Sequence, residues 1–217
     1  MASALTIIIA DDHPLFRGAL KQALTGMAGN PDIVEAGDFE AARKAAAGNP
    51  NADLMLLDLA MPGVSGLSGL ISLRAEFQSL PVVIVSASDD PATIRRALDL
   101  GASGFISKSA SIEDIREGIG SVLEGNIYTP GGYVRGPEQD SEVADLIARL
   151  RTLTPQQSRV LAMLAEGLLN KQIAYELSVS EATIKAHVSA ILLKLNVDSR
   201  TQAVIQLGKI GSAQAAA

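Results

Sequence analysis

Short, uninterrupted apolar runs alternate with longer stretches of helical period through the first 124 residues. Thr6 to Ala10, Leu54 to Leu57 and Val82 to Val85 are continuously apolar, the pattern of central strands covered by helices on both faces. Ile33 to Ala36 and Gly104 to Ser107 are weaker strand candidates. Between these runs, Leu15 to Leu24 places Phe16, Leu20, Ala23 and Leu24 on one helical face. Asp38 to Ala47, Ser65 to Glu76, Pro91 to Leu100 and Ser111 to Leu123 supply four more helices. Gly48, Gly101 and Gly125 stand just past three helix ends, where a left-handed cap is wanted. Five strand-helix cycles predict an α/β, doubly wound, five-stranded parallel sheet over residues 1–124.

Periodicity breaks between Gly125 and Gly136, where Gly131, Gly132 and Pro130 cluster. Residues 125–152 are therefore expected to be a linker that carries one short helix, Ser141 to Leu150. From Thr154 the pattern is wholly helical. Thr154 caps one helix with Pro155 at its first position, Asn170 opens a second, Ser180 caps a third and Ser199 a fourth. The second and third are separated by little more than Ser178, Val179 and Ser180, which is the spacing of a helix-turn-helix. Residues 153–210 are thus expected to form an all-α, four-helix domain, and 211–217 to be a disordered tail.

Composition narrows the function. Of the 217 residues 47% are hydrophobic, enough to build two cores. Cysteine is absent, which excludes disulfides, thiolate nucleophiles and cysteine metal sites. The apolar run Leu5 to Ala10 is short and two aspartates follow it directly, so neither a signal peptide nor a membrane span is expected, and a cytoplasmic location is. The net charge of -6 is unevenly spread. Residues 1–124 hold 9 basic and 16 acidic side chains, whereas residues 153–217 hold 6 and 4. A mildly basic C-terminal domain sits on an acidic body.

Wherever a strand candidate stops, a chemically capable group begins: Asp11 and Asp12 after the first, Asp58 after the third, Ser86 after the fourth, Lys108 close after the fifth. Ligands bind at the carboxyl ends of strands in open α/β sheets, so these side chains should converge. Three carboxylates brought together need a cation, and an all-oxygen set suits Mg²⁺ better than Zn²⁺. One carboxylate can then take a phosphoryl group while a metal and the Lys108 ammonium neutralise its oxygens. Taken singly, each of these residues is an ordinary turn, cap or surface group; His13 is assigned no catalytic role.

Asp11-Asp12, the run Leu57-Asp58-Leu59-Ala60-Met61-Pro62-Gly63, Ser86, and Gly101 to Lys108 resemble the receiver-domain family in order and spacing over residues 5–124. The resemblance implies a flavodoxin-like fold and an Asp58 phosphorylated by a sensor histidine kinase. It also implies Mg²⁺ held by Asp11, Asp12, Asp58 and the Ala60 carbonyl. Ser86 and Phe105 would be a switch pair, Phe105 turning inward as the Ser86 hydroxyl moves to the phosphate.

In the third C-terminal helix, Ile184, Val188, Ile191 and Leu195 share one face. The other face carries Ala182, Lys185, Ala186 and Ser189, small enough to approach a DNA groove. Lys171, Lys194 and Arg200 are candidates for phosphate contacts. Composition alone fits a protein-binding bundle equally well. The stretches Leu153-Thr154-Pro155, Asn170 to Ala174, Ser180 to Val188, Lys194-Leu195 and Arg200 to Ala203 resemble the LuxR-type helix-turn-helix. By that likeness Lys185, Ala186 and Ser189 face bases, while Thr183, His187 and Lys194 face the backbone; His187 suits helix packing equally. Gln157 and Arg159 stand where the family usually has acidic residues, which puts a first-helix salt bridge in doubt. Together the two resemblances imply a response regulator of the NarL/FixJ type, binding double-stranded DNA as a homodimer through its last helix. The sequence suggests that the unphosphorylated receiver packs against the recognition helix.

Two other readings compete. A phosphatase with Asp58 as nucleophile would usually carry a second Asp two residues later, where this chain has Ala60. A small-ligand sensor sharing the DNA-binding half would need an aromatic-lined pocket, and aromatics are 3% of the chain.

Overall fold

The computed structural model describes residues 5–27, 30–64, 66–134, 136 and 141–211. The N-terminal domain runs β1 (Thr6–Ala10), α1 (Pro14–Leu24), β2 (Asp32–Ala36), α2 (Phe39–Gly48), β3 (Leu54–Asp58), α3 (Ser68–Glu76), β4 (Val82–Ser86), α4 (Pro91–Asp99), β5 (Gly104–Ser107) and α5 (Ile112–Leu123). The sheet order is β2-β1-β3-β4-β5, and every pairing is parallel. Alternate residues feed opposite cores. Ile8, Met55, Leu57, Ile84 and Phe105 join the cluster under α2, α3 and α4. Ile7, Ile9, Leu54, Leu56, Val83 and Ile106 join the one under α1 and α5. Strands buried on both faces explain why three of them read as unbroken apolar runs.

Local chemistry sets the helix ends. The carboxylates of Asp38 and Asp90 accept from the backbone N–H groups of Ala41 and Thr93 at the starts of α2 and α4. Ser111 and Asp114 form a reciprocal capping box on α5. Gly101 and Gly125 take positive φ as expected, but Gly48 does not: it is the last residue of α2, and Asn49 closes that helix through its side-chain amide to the Ala45 carbonyl. Helix α3 begins at Ser68, later than the pattern predicts, because Gly66 takes φ +53 and Leu67 offers no capping group; Ser65 lies outside the described residues.

The first part of the expected linker is not loose. Tyr128 accepts from the Phe105 amide at 2.9 Å and donates its own to the Ser103 carbonyl, extending the sheet edge beside β5. Helix α6 (Ser141–Leu150) follows, and then α7 (Pro155–Ala165), α8 (Asn170–Glu176), α9 (Glu181–Leu195) and α10 (Arg200–Gly211). Thr154 and Gln157 make a capping box on α7, and Ser180 caps α9. Ser178 turns the chain between α8 and α9 at φ +52, and Asn196 ends α9 in the left-handed region. Residues 212–217, where the disordered tail is expected, lie outside the described residues.

The expectation that the N-terminal domain covers the recognition helix is not met. Helix α3 packs on α7, the most extensive helix-helix contact among the described residues, and α10 also touches α3. Small residues allow the approach: Ser68 and Ser72 border one interdomain cavity with Ala162 and Ala165, and Ala75 borders another with Ser158. Arg159 on α7 pairs with Glu76 on α3 at 3.2 Å, and Glu76 also accepts from Arg43 on α2. The Arg151 guanidinium donates to the Asp99 carbonyl at the end of α4. Lys185, Ala186 and Ser189 on α9 remain exposed. No helix among the described residues is long and apolar enough to cross a membrane.

Candidate functional site

The strand order reverses direction around β1 and β3, and the crevice at their carboxyl ends is where an α/β sheet offers a binding site. The parallel register brings Ala10 beside Leu57 and Asp58 beside Val85, so the groups that follow these strands meet at one edge. Oxygen or nitrogen atoms of Asp11, Asp12, His13 and Asp58 all lie within 4.8 Å of one another, a group able to hold a metal ion. Asp11 and Asp58 are buried. Lys108 reaches across from β5 and places Nζ 2.7 Å from Asp11 and 2.8 Å from Asp58. Burial is the largest single influence and opposes the charged Lys108 ammonium, but hydrogen bonds to Asp11 and Asp58 and electrostatic attraction to both together outweigh it and hold its pKa above the ordinary lysine value. The Phe16 ring of α1 lies 5.0 Å below the same Nζ.

Asp12, His13, Phe16, Asp58 and Lys108 line an open cleft of about 1000 Å³ together with Ser86, Ala60 and Met61. The Ala60 amide donates to Asp58 Oδ1 at 3.2 Å, fixing the carboxylate, and the Ser88 amide donates to Ser86 Oγ. Every strand-end group expected from the sequence is thus brought to one place. His13 was not expected there: its Nδ1 lies 2.7 Å from Asp12 and 4.0 Å from Asp58. Its position directly after two strand-end aspartates was the available signal. Phe105 is 0% exposed, so the inward turn the resemblance implies has no outward starting position in this conformation.

The helix-turn-helix places its candidate contacts differently. Ile184, Ile191 and Leu195 are buried and Val188 is half-buried, which leaves Ala182, Lys185, Ala186 and Ser189 on the solvent face of α9. Thr183 and Lys171 are exposed and His187 is half-buried. Among the described residues Lys185 pairs with Glu181, one turn earlier on an exposed face. Lys194 is otherwise engaged: Nζ donates to the Thr152 carbonyl at 2.7 Å and to Gln157 Oε1 at 2.8 Å. The Arg200 guanidinium likewise donates to the Leu168 carbonyl. Gln157 therefore keeps a tie to Lys194 without a negative charge. Arg159 is turned outward to the N-terminal domain, a role that sequence spacing gives no means of finding.

Residues 7–120 match the model of the response regulator receiver domain, and residues 151–207 that of bacterial regulatory proteins of the luxR family. The chain is 44% identical to the glycerol metabolism activator of Pseudomonas putida, covering 94% of this chain and 95% of that protein. It is 36% identical to the nitrate/nitrite response regulator NarP of Escherichia coli, covering 94% of each. Among solved structures it resembles RcsB from Salmonella enterica serovar Typhimurium bound to a promoter in the presence of a phosphomimetic. That likeness has 26% identity and a TM-score of 0.54, over 96% of this chain and all of that one.

Proposed function

The chain belongs to the NarL/FixJ type of response regulators, and from that membership we propose a phosphorylation-controlled transcription factor: a receiver domain over 1–124, a linker over 125–152 and a DNA-binding domain over 153–210. The observation that carries the phosphoacceptor role is Lys108 Nζ set between Asp58 and Asp11. Asp58 Oδ attacks the phosphorus of a phosphohistidine on a sensor histidine kinase; the O–P bond forms as the N–P bond breaks, and the imidazole leaves. Lys108 is positioned to transfer one hydrogen bond from the Asp58 carboxylate to a phosphoryl oxygen, and Ser86 to supply a hydroxyl. Preorganised charge, rather than acid-base chemistry, is what this set supplies.

The donor set fits a hard divalent cation. Asp11, Asp12 and Asp58, with the Ala60 carbonyl, would hold Mg²⁺, which supplies charge neutralisation at the phosphoryl oxygens when bound. On the DNA side, α9 enters the major groove with Lys185, Ala186 and Ser189 toward bases. Lys171, Thr183 and His187 face the backbone, where Lys194 contributes only if it leaves Gln157. A homodimer through α10 would read paired half-sites.

The test is selection from a random DNA library, with and without beryllofluoride and Mg²⁺, by wild type and Asp58→Ala. Enrichment of a paired half-site by activated wild type alone is expected. The same enrichment by both proteins would remove Asp58 from control of binding. Mg²⁺-dependent incorporation of one phosphoryl group is expected in wild type and absent from Asp58→Ala.

A further inference from the structure

His13 is the member of the strand-end cluster that the proposed chemistry leaves unused. It stands at the N-cap of α1, where a side-chain oxygen would ordinarily accept from the first free amides, and its imidazole makes no capping bond. Its backbone N–H donates to Asp11 Oδ1 at 2.7 Å. The ring faces the carboxylates, with Nδ1 2.7 Å from Asp12 Oδ1, 3.4 Å from Asp11 Oδ1 and 4.0 Å from Asp58 Oδ2. The closest of these contacts is not a hydrogen bond. Asp12 Oδ1 is buried and accepts from no donor among the described residues, so the ring N–H direction misses it.

Donors that approach closely without bonding one another are arranged around a third point. Two ligands on neighbouring corners of an octahedron with bonds of about 2.1 Å stand about 3 Å apart, and those on opposite corners about 4.2 Å apart. The Nδ1 distances of 2.7 to 4.0 Å cover nearly the same span. Charge agrees with this. Three carboxylates and the Lys108 ammonium leave two net negative charges, which one divalent ion cancels, and a neutral imidazole adds a donor without adding charge. Lys108 does not compete for the place, because it meets Asp11 through Oδ2 whereas His13 faces Oδ1. The imidazole is 63% exposed, which leaves that side of the cluster open to water and to an incoming phosphoryl oxygen. Carboxylate and carbonyl oxygens suit Mg²⁺, but an imidazole nitrogen is a donor that first-row transition ions take far more readily. We propose, resting on the reading of this cluster as the cation site of the phosphoacceptor, that His13 Nδ1 is a direct ligand and turns the site from Mg²⁺ toward a first-row transition dication.

The chain has two histidines, and the other, His187, lies on α9 in the DNA-binding domain. In untagged full-length protein a metal-bound imidazole at this cluster therefore has one source. Mn²⁺ alone, without a phosphodonor, is the probe. Its binding is titrated by loss of the free-ion EPR signal and Mg²⁺ binding by competition, while electron spin-echo modulation of the bound Mn²⁺ reports a directly coordinated nitrogen. Wild type is expected to bind Mn²⁺ with the nitrogen modulation of an imidazole, and to favour Mn²⁺ over Mg²⁺ by about tenfold or more beyond the preference of His13→Ala. His13→Ala should lose the modulation, and Asp12→Asn should weaken both ions. The modulation is read on wild type, so the test stands even if a variant fails to fold. Bound Mn²⁺ without nitrogen modulation in wild type, or the same preference in wild type and His13→Ala, would overturn the ligand role and leave an ordinary Asp12–His13 pair. Unchanged affinities in Asp12→Asn would put the ion elsewhere and overturn it likewise. Failure of wild type to bind either ion would instead overturn the cation site on which the proposal rests.

Discussion

Lys108 shows how one side chain is asked to do two things. Its ammonium is the cation paired with the buried Asp11 and Asp58, and the group positioned to meet an incoming phosphoryl oxygen. Lys108→Met should therefore cost about 2–3 kcal/mol of stability at neutral pH, since it leaves two carboxylates with less compensation. Added Mg²⁺ should return more of that loss than it gives to wild type, which denaturant unfolding with and without the ion will measure. An equal Mg²⁺ effect in both proteins would mean the ion does not share the lysine's place. The carboxylates and the lysine were legible in the sequence because each follows a strand directly, and parallel strands end together. Lys194 and Arg159 were not, because their roles depend on partners that only the tertiary packing brings near. The contrast can be measured. Lys185→Ala should weaken DNA binding and flatten its salt dependence by about one unit in log-log slope, with the melting temperature unchanged. Lys194→Ala should instead lower stability by about 1 kcal/mol, through the bonds lost at Thr152 and Gln157.

At the scale of elements, boundaries followed the chemistry of the ends. Asp38, Asp90, Ser111, Thr154 and Ser180 are N-caps in the structure, and residues of these types announce themselves in a sequence because their side-chain oxygens satisfy the first free amides of a helix. The start of α3 was misplaced because a continuous helical period says nothing about a glycine that turns positive in φ. The start of the linker is more ordered than its broken periodicity conveys. Glycine and proline do break periodicity, but Tyr128 before them is captured by the edge of the sheet, and its ring fills the space over Gly118. A Cβ there would lie 2.8 Å from two ring carbons. Gly118→Ala gains up to about 1 kcal/mol of helix propensity, yet forcing the ring out should cost about 1–3 kcal/mol, so the balance is a loss. Hydrogen exchange should locate it: the Phe105 amide, which donates to Tyr128, should lose protection while the amides of β1 and β3 keep theirs.

For the whole molecule, the feature that matters is that the two domains do not have separate cores. The apolar cluster under α2, α3 and α4 continues without a break through α7 to Ile184, Ile191 and Leu207. Two domains joined only by a linker would unfold independently, whereas two sharing a core unfold together as long as the shared part holds. The charge distribution works the other way, since the acidic body and the mildly basic DNA-binding domain attract only weakly at physiological salt. Cohesion therefore rests on the α3–α7 seam, where Arg159 meets Glu76 among small residues. The unphosphorylated protein should accordingly show one calorimetric transition whose van't Hoff and calorimetric enthalpies agree. Arg159→Glu, which makes that contact repulsive, should split it into two. If beryllofluoride and Mg²⁺ produce the same split in wild type, phosphorylation acts by parting the domains at this seam. Two transitions in the unmodified protein would mean that the shared core contributes too little to couple them, and that the signal must pass from Asp58 to the DNA by another route.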